Sequence, residues 1–290
     1  MRDFILATDS DTEIPYKYAD EKGIPVFLMP YTVNGEEKLF DLGRNTDFTA
    51  FYNELANGAE AFTSTRPPAD IADFFREMVK TGKDVLYLSF SSALSGHYDL
   101  CHLAKKMVLE EYPDARIEIV DTLRISMGAG ELVMFAQVLK DEGKSLDEIK
   151  DWVLKNRLRA HAWFSVDDLG YLKRGGRLSG AAAAIGTILD VKPILKLNAE
   201  GKIVAADKVK GSKKILRFFL DTIKENVEEP EAQIAYVLHA NNMDCAEKMK
   251  EQMLENFPFA GVEIQDVGPV IGCHTGPGVL AIIFMGKENK

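Results

Sequence analysis

Four polar loops interrupt an otherwise apolar strand–helix pattern in this chain, and each holds side chains that could grip an anion. The first, Thr63-Ser64-Thr65-Arg66-Pro67-Pro68, sets three hydroxyls just before a helix start. There they can cap the helix, or join its free N–H groups in holding a carboxylate or phosphate. The second runs from Ser89 to Tyr98 and places Ser91, Ser92, Ser95 and Gly96 at a strand-to-helix turn. Hydroxyls and backbone N–H donors converging there suit an anion, and capping alone would also use them. The loop has neither the Gly-Lys-Ser/Thr ending of a Walker loop nor a G-x-S-x-G elbow, so no motif marks Ser95 as a nucleophile.

The third loop is Lys173-Arg174-Gly175-Gly176-Arg177. Its paired glycines forbid a regular helix, so Arg177 projects from special backbone angles. A guanidinium placed so can take a carboxylate or phosphate in bidentate fashion, or can simply be a solvated basic turn. The fourth, Gly268 to Gly278, packs Gly272, Gly276, Pro277 and Gly278 around His274 and Thr275. It reads as a tight loop displaying that pair, or as a structural turn before the last strand.

Metal chemistry finds less footing. Asp9 and Asp11 resemble part of a hard-cation loop, and Cys273, His274 and His239 could be soft ligands. Yet no C-x-x-C, H-x-x-x-H or full calcium-loop spacing occurs, and no G-x-G-x-x-G run follows a strand. The expectation is no metal and no cofactor, with Cys273 a small buried hydrophobe. His97, His102, His161 and His239 are expected at ordinary surface or satisfied positions.

The elements that must position these loops alternate regularly. Strands are expected at Phe4–Ala7, Ile24–Leu28, Val85–Leu88 and Ile117–Val120, with a hairpin turning at Asn34-Gly35. Helices are expected from Asp47 as cap, at Pro68–Val79, Ser95–Glu110, Gly130–Leu139 and Leu146–Leu158 with Ser145 as cap. Strand, helix, strand with short loops argues for a largely parallel sheet covered on both faces. Beyond Arg159 the pattern changes. Strands at Ala162–Val166, Ile234–Leu238, Val262–Val267 and Val279–Phe284 join a hairpin of Pro193–Leu197 with Ile203–Ala205, which implies antiparallel pairing. Helices are expected at Ala181–Leu189, Lys213–Glu225 and Cys245–Asn256. The predicted architecture is α/β with two domains, residues 1–155 and 156–290: a mostly parallel sheet flanked by helices, then an α/β domain with a mixed or antiparallel sheet.

Composition bounds the function. The 290 residues are 46% hydrophobic, enough for two cores, and carry a formal net charge of −10. An acidic surface repels phosphate backbones, so nucleic-acid binding is disfavoured. Three scattered cysteines, Cys101, Cys245 and Cys273, build no disulfide framework and suit a reducing cytoplasm. No apolar run approaches the roughly 20 residues that span a bilayer, so at most transient membrane contact is expected.

Taken in order, these segments resemble the DegV family of bacterial fatty-acid-binding proteins. The resemblance rests on Thr8-Asp9-Ser10, Thr63 to Pro68, Ser91 to Gly96, Val120-Asp121-Thr122 with Ser126-Met127-Gly128, Leu172 to Ser179, Lys192 to Leu195, and His274 to Gly278. It implies a long-chain fatty acid in an internal tunnel, its carboxylate bound by Ser64 or Thr65 with Ser95 and Gly96, and His274 and Thr275 nearby. It also implies a partner, a fatty acid kinase that converts the presented carboxylate to an acyl phosphate, with Arg177, Lys208 and Lys210 serving docking or phosphate. This chain departs from the usual Thr-Ser-Gln-Pro at Ser64 to Pro67, has His97 where Thr is usual, and has Lys208 and Lys210 in place of arginines. The competing expectation is a hydrolase or phosphotransferase using Ser95 and His274.

Overall fold

The computed structural model describes residues 3–178 and 191–289. The helix expected at Ala181–Leu189, and Ser179, lie outside the described residues.

Apolar runs in the first half pair in parallel. Strands β1 (Phe4–Asp9), β2 (Val26–Phe27), β6 (Asp84–Ser89) and β7 (Ile117–Asp121) form one sheet in the order β2-β1-β6-β7. Both faces are covered by α1 (Tyr16–Lys22), α3 (Pro68–Val79), α4 (His97–Glu111), α5 (Met127–Asp141) and α6 (Leu146–Asn156). Local signals fix several ends. Asp47 accepts from Ala50 N to cap α2 (Phe48–Ala56), and Ser145 and Glu148 close a reciprocal capping box on α6. Asn34 and Gly35, both at positive φ, turn the hairpin of β3 (Pro30–Val33) and β4 (Glu36–Leu39). That hairpin does not join the parallel sheet. It pairs with β5 (Ala61–Thr63) in a separate antiparallel sheet, β4-β3-β5.

The second half builds a mixed six-stranded sheet, ordered β10-β9-β8-β13-β11-β12. Its strands are β8 (Ala160–Ser165), β9 (Val191–Leu197), β10 (Ile203–Lys210), β11 (Ile234–His239), β12 (Gly261–Asp266) and β13 (Leu280–Met285). Only β11 and β12 run parallel; the other neighbours are antiparallel. Helices α8 (Ser212–Asn226) and α9 (Met243–Asn256) pack a satellite core around Phe219, Met249 and Phe284. Two short helices, α7 (Leu169–Arg174) and α10 (Pro269–Thr275), complete the elements that matter for the site. The largest apolar core includes Phe75 and Tyr87 from the parallel half and Phe164, Leu195 and Ile283 from the mixed half. No helix among the described residues is long and apolar enough to cross a membrane.

Candidate functional site

In a parallel sheet the chain leaves every strand at the same edge, so the loops after those strands gather there. The loops after β1, β6 and β7 contribute Asp11, Phe90, Leu94, Ser95 and Ile125 to one cavity of about 450 Å³. The loop between β5 and α3 adds Thr63, Ser64 and Thr65; from the other half come Leu172 of α7, Ile203 of β10, and Val270, Ile271, His274 and Thr275 of α10. Arg177 also faces it. An inner cavity of about 50 Å³, walled by groups such as Phe164, Leu238 and Ile283, shares Ile125, Ile203, Ile271 and Thr275 with the first. The larger cavity, whose wall mixes hydroxyls with apolar side chains, therefore adjoins a smaller, almost wholly apolar one.

The structure decides what several hydroxyls do. Helix α3 starts after Pro67 with no side-chain cap, so Thr63, Ser64 and Thr65 are not capping groups. Likewise α4 follows Gly96 without a side-chain cap. Ser95 Oγ, one residue earlier, accepts from His97 N, the first N–H of α4, at 3.2 Å, and so tops the helix. Ser91 is spent on structure, donating to Gly201 O at 3.0 Å and tying this loop to the β9–β10 turn. Of the serines in the second loop, only Ser95 faces the cavity. Gly96, the residue before α4, is not among those lining the cavity.

His274 and Thr275 end a seven-residue helix, where a displaying loop is expected from the glycines. The glycines serve packing there: a Cβ on Gly272 would sit 2.7 Å from Tyr52 Oη and 2.8 Å from the Phe51 ring. Thr275 Oγ1 donates back to Ile271 O at 3.2 Å. His274 Nε2 shares a 2.8 Å hydrogen bond with Thr63 Oγ1, across 211 residues of sequence. On the far side its Nδ1 is buried without a partner among the described residues, against a backbone so close that a Cβ on Gly175 would overlap it. Burial, helped by the Arg177 charge, pushes the His274 imidazole down to about 4, so it is neutral at pH 7.

Arg177 follows Gly176, which stands at φ +70°. Its Nε donates to Leu94 O at 3.0 Å and its Nη1 to Gly175 O. These bonds hold the guanidinium at the cavity as its permanent cation. Arg66 is turned aside, paired with Asp70 at 2.9 Å and lying over the Phe27 ring. Lys208 and Lys210 are exposed on β10, the edge strand of the mixed sheet, and do not line the cavity.

Sequence reasoning missed the burial beneath the site. Asp9, Ser10, Asp11, Thr12 and Glu13 are all buried. Desolvation pushes Asp9 up to about 7 and Glu13 up to about 8. His97, expected at an ordinary position, is sealed between the Phe27 and Phe90 rings with Nε2 2.9 Å from Tyr87 Oη. Burial lowers it to about 4 and raises its neighbour Cys101. Cys273 is buried, its thiol pushed up to about 12, which leaves it unreactive. Among the described residues no group of three His, Cys, Asp or Glu is arranged to hold a metal ion.

Comparison with known proteins matches this architecture. Residues 4–287 match the DegV family, described as uncharacterised proteins. A DegV domain-containing protein of Clostridium perfringens is 38% identical over 290 residues, with both chains covered in full. One from Streptococcus pyogenes is 33% identical over 289 residues, 99% of each chain. The solved structure of a DegV family protein from Thermus thermophilus, described for its fatty acid binding, superposes with a TM-score of 0.87 at 30% identity, covering 99% of this chain and 100% of that one. DegV from Bacillus subtilis, described as a fatty acid binding protein, gives 0.83 at 28% identity with the same coverage. The cavity and its loops thus sit on a shared scaffold spanning nearly the whole sequence: this chain belongs to the DegV family.

Proposed function

We propose that the protein binds a long-chain fatty acid in this cavity and presents its carboxylate to a fatty acid kinase partner. The carrying observation is a cavity that, among the described residues, sets hydroxyls and one cation, Arg177, beside apolar walls shared with a smaller apolar cavity. Ser64, Thr65, Ser95, His274 and Thr275 are the proposed carboxylate partners, with Gly96 shaping the Ser95 turn. A carboxylate at the hydroxyls finds donors and a positive charge, while its chain finds apolar walls. Each methylene buried contributes about 0.8 kcal/mol, so the chain supplies affinity and the polar groups supply orientation. The fatty acid binding described for the Thermus thermophilus and Bacillus subtilis relatives supports the same reading.

In the kinase step a carboxylate oxygen attacks the γ-phosphorus of ATP held by the partner, ADP leaves, and an acyl phosphate forms. Arg177 beside the carboxylate, and Lys208 and Lys210 on the exposed edge, are the proposed docking or phosphate-accommodating cations. The protein alone turns nothing over. A Ser95 nucleophile with His274 as base finds little support, because His274 Nε2 bonds Thr63 and Ser95 Oγ accepts from His97 N.

Denaturing extraction of the purified protein followed by mass spectrometry tests the binding. A near-stoichiometric long-chain acid is expected, and an empty extract from lipid-rich cells would overturn the reading. Hydroxylamine trapping of acyl phosphate should require both ATP and the kinase. Ester hydrolysis by the isolated chain, abolished in Ser95→Ala, would instead establish the enzyme.

A further inference from the structure

The cavity carries one polar group for which a carboxylate grip by those hydroxyls has no use. Asp11 sits in a one-turn 3-10 helix, Ser10–Thr12, directly after β1, and lines the cavity while only 3% exposed. Its backbone is committed: the N–H donates to Asp9 Oδ1 at 3.2 Å and the carbonyl accepts from Ser126 N at 3.0 Å. Its carboxyl is not, for Oδ1 is buried with no hydrogen-bond partner among the described residues. The neighbouring acids differ. Asp9 accepts from Phe90 N as well as Asp11 N, and Glu13 takes Gly268 N at 2.5 Å and the Ser126 hydroxyl.

Position and protonation state narrow the role. Ser126 lines the smaller cavity and follows Ile125, which lines both, so the bond from Ser126 N ties Asp11, in the wall of the larger cavity, to the segment the two share. Asp11 thus belongs to a different loop from those that carry Ser64, Thr65 and Ser95, on the same cavity. Burial, with Asp9 and Glu13 close by, pushes the Asp11 carboxyl well above the usual range. At neutral pH it is an uncharged acid with one O–H donor and free acceptor capacity. A plain methylene chain would leave both unpaired. A site with a buried, unpaired hydrogen-bonding group discriminates against the ligand that lacks the matching polar atom.

We propose that the preferred ligand is an oxygenated fatty acid, whose chain carries a hydroxyl that exchanges hydrogen bonds with the Asp11 carboxyl. This deepens the fatty-acid reading by naming a substrate class, and it rests on that reading. An alcohol both donates and accepts, which is what a neutral carboxyl requires of a single neighbour. The hydroxyls and Arg177 then select for an acid and Asp11 for an oxygen farther along.

The test compares stearic acid with a series of its monohydroxy derivatives, substituted at successive carbons, in binding titrations of the delipidated full-length protein. The wild type should bind at least one hydroxy acid about tenfold or more tighter than stearic acid. Asp11→Asn, which keeps a donor and an acceptor, should retain the preference. Asp11→Leu should lose it and bind stearic acid tighter than the wild type does. Stearic acid bound as well as every hydroxy acid, or a preference unchanged in Asp11→Leu, would overturn the inference while leaving fatty-acid binding intact. Failure of every acid to bind would remove both. Should Asp11→Leu not fold, judged by circular dichroism, the wild-type comparison and Asp11→Asn decide the matter alone.

Discussion

At the scale of single residues, the site is governed by an imidazole that is held and uncharged. Thr63 fixes one nitrogen of His274, and burial keeps the ring neutral above about pH 4. The positive charge offered to an incoming carboxylate is therefore that of Arg177. A bound carboxylate beside His274 would favour the imidazolium, so its pKa should rise on lipid binding. Ring-proton NMR titrations with and without acid check this, and an unmoved midpoint would place the carboxylate elsewhere. His274→Ala and Ser95→Ala should each weaken acid retention by about five- to thirtyfold, the equivalent of one lost hydrogen bond of about 1–2 kcal/mol. Neither should alter the fold by circular dichroism. Unchanged lipid content together with unchanged transfer to a kinase would show both residues misassigned.

Elements place those side chains, and the tightest placement is at α10. Its Gly272 lies against Tyr52 and Phe51, and Tyr52 Oη donates to Val267 O at 2.7 Å just before the helix. Gly272→Ala should cost about 1–3 kcal/mol in denaturant unfolding through overpacking. Gly175→Ala acts on the site instead, since the added methyl must displace the His274 ring. It should weaken acid retention at least as much as His274→Ala, measured in the same titration. These contacts also explain what was legible. Pro68, Ser145 and Asn34-Gly35 are local signals, and the elements they predict form where expected. Helix α10 is seven residues long with Gly272 at its middle, so its place depends on Tyr52 and Phe51, far away in sequence. Strand β5 is three residues long and exists through its pairing with β3. Within the site, clustered serines and glycines at strand ends could be recognised. The Thr63–His274 bond and the isolation of the Asp11 carboxyl depend on tertiary packing that no spacing encodes.

For the whole molecule, the formal charge of −10 overstates the folded protein's charge at neutral pH. Asp9 titrates near 7 and Glu13 near 8, while Asp11 and Glu131 are held well above the usual range by burial. All four would ionise near pH 4 in the unfolded chain. Folded-state values raised above unfolded ones mean stability that is full below about pH 4 and lost as pH rises through 7 to 8. Desolvated histidines act oppositely, His239 among them. His97, His161 and His274 are each lowered to about 4 from an unfolded value near 6.5. Their contribution is present above pH 6.5 and lost as pH falls toward 4. Between those limits the two sets oppose one another, so stability should vary little. Above pH 6.5 only the carboxyls still titrate, and stability should fall toward pH 8 by about 1.4 kcal/mol per pH unit for each proton the folded state retains. Thermal unfolding from pH 5 to 9 checks this, with a maximum expected on the acid side of neutrality. Glu13→Gln mimics the protonated acid toward Gly268 N and Ser126, so it should flatten the alkaline decline and leave the acid limb unchanged. A wild-type melting temperature that climbs from pH 6.5 to 8, or a decline equally steep in Glu13→Gln, would show that this carboxyl is ionised in the folded protein.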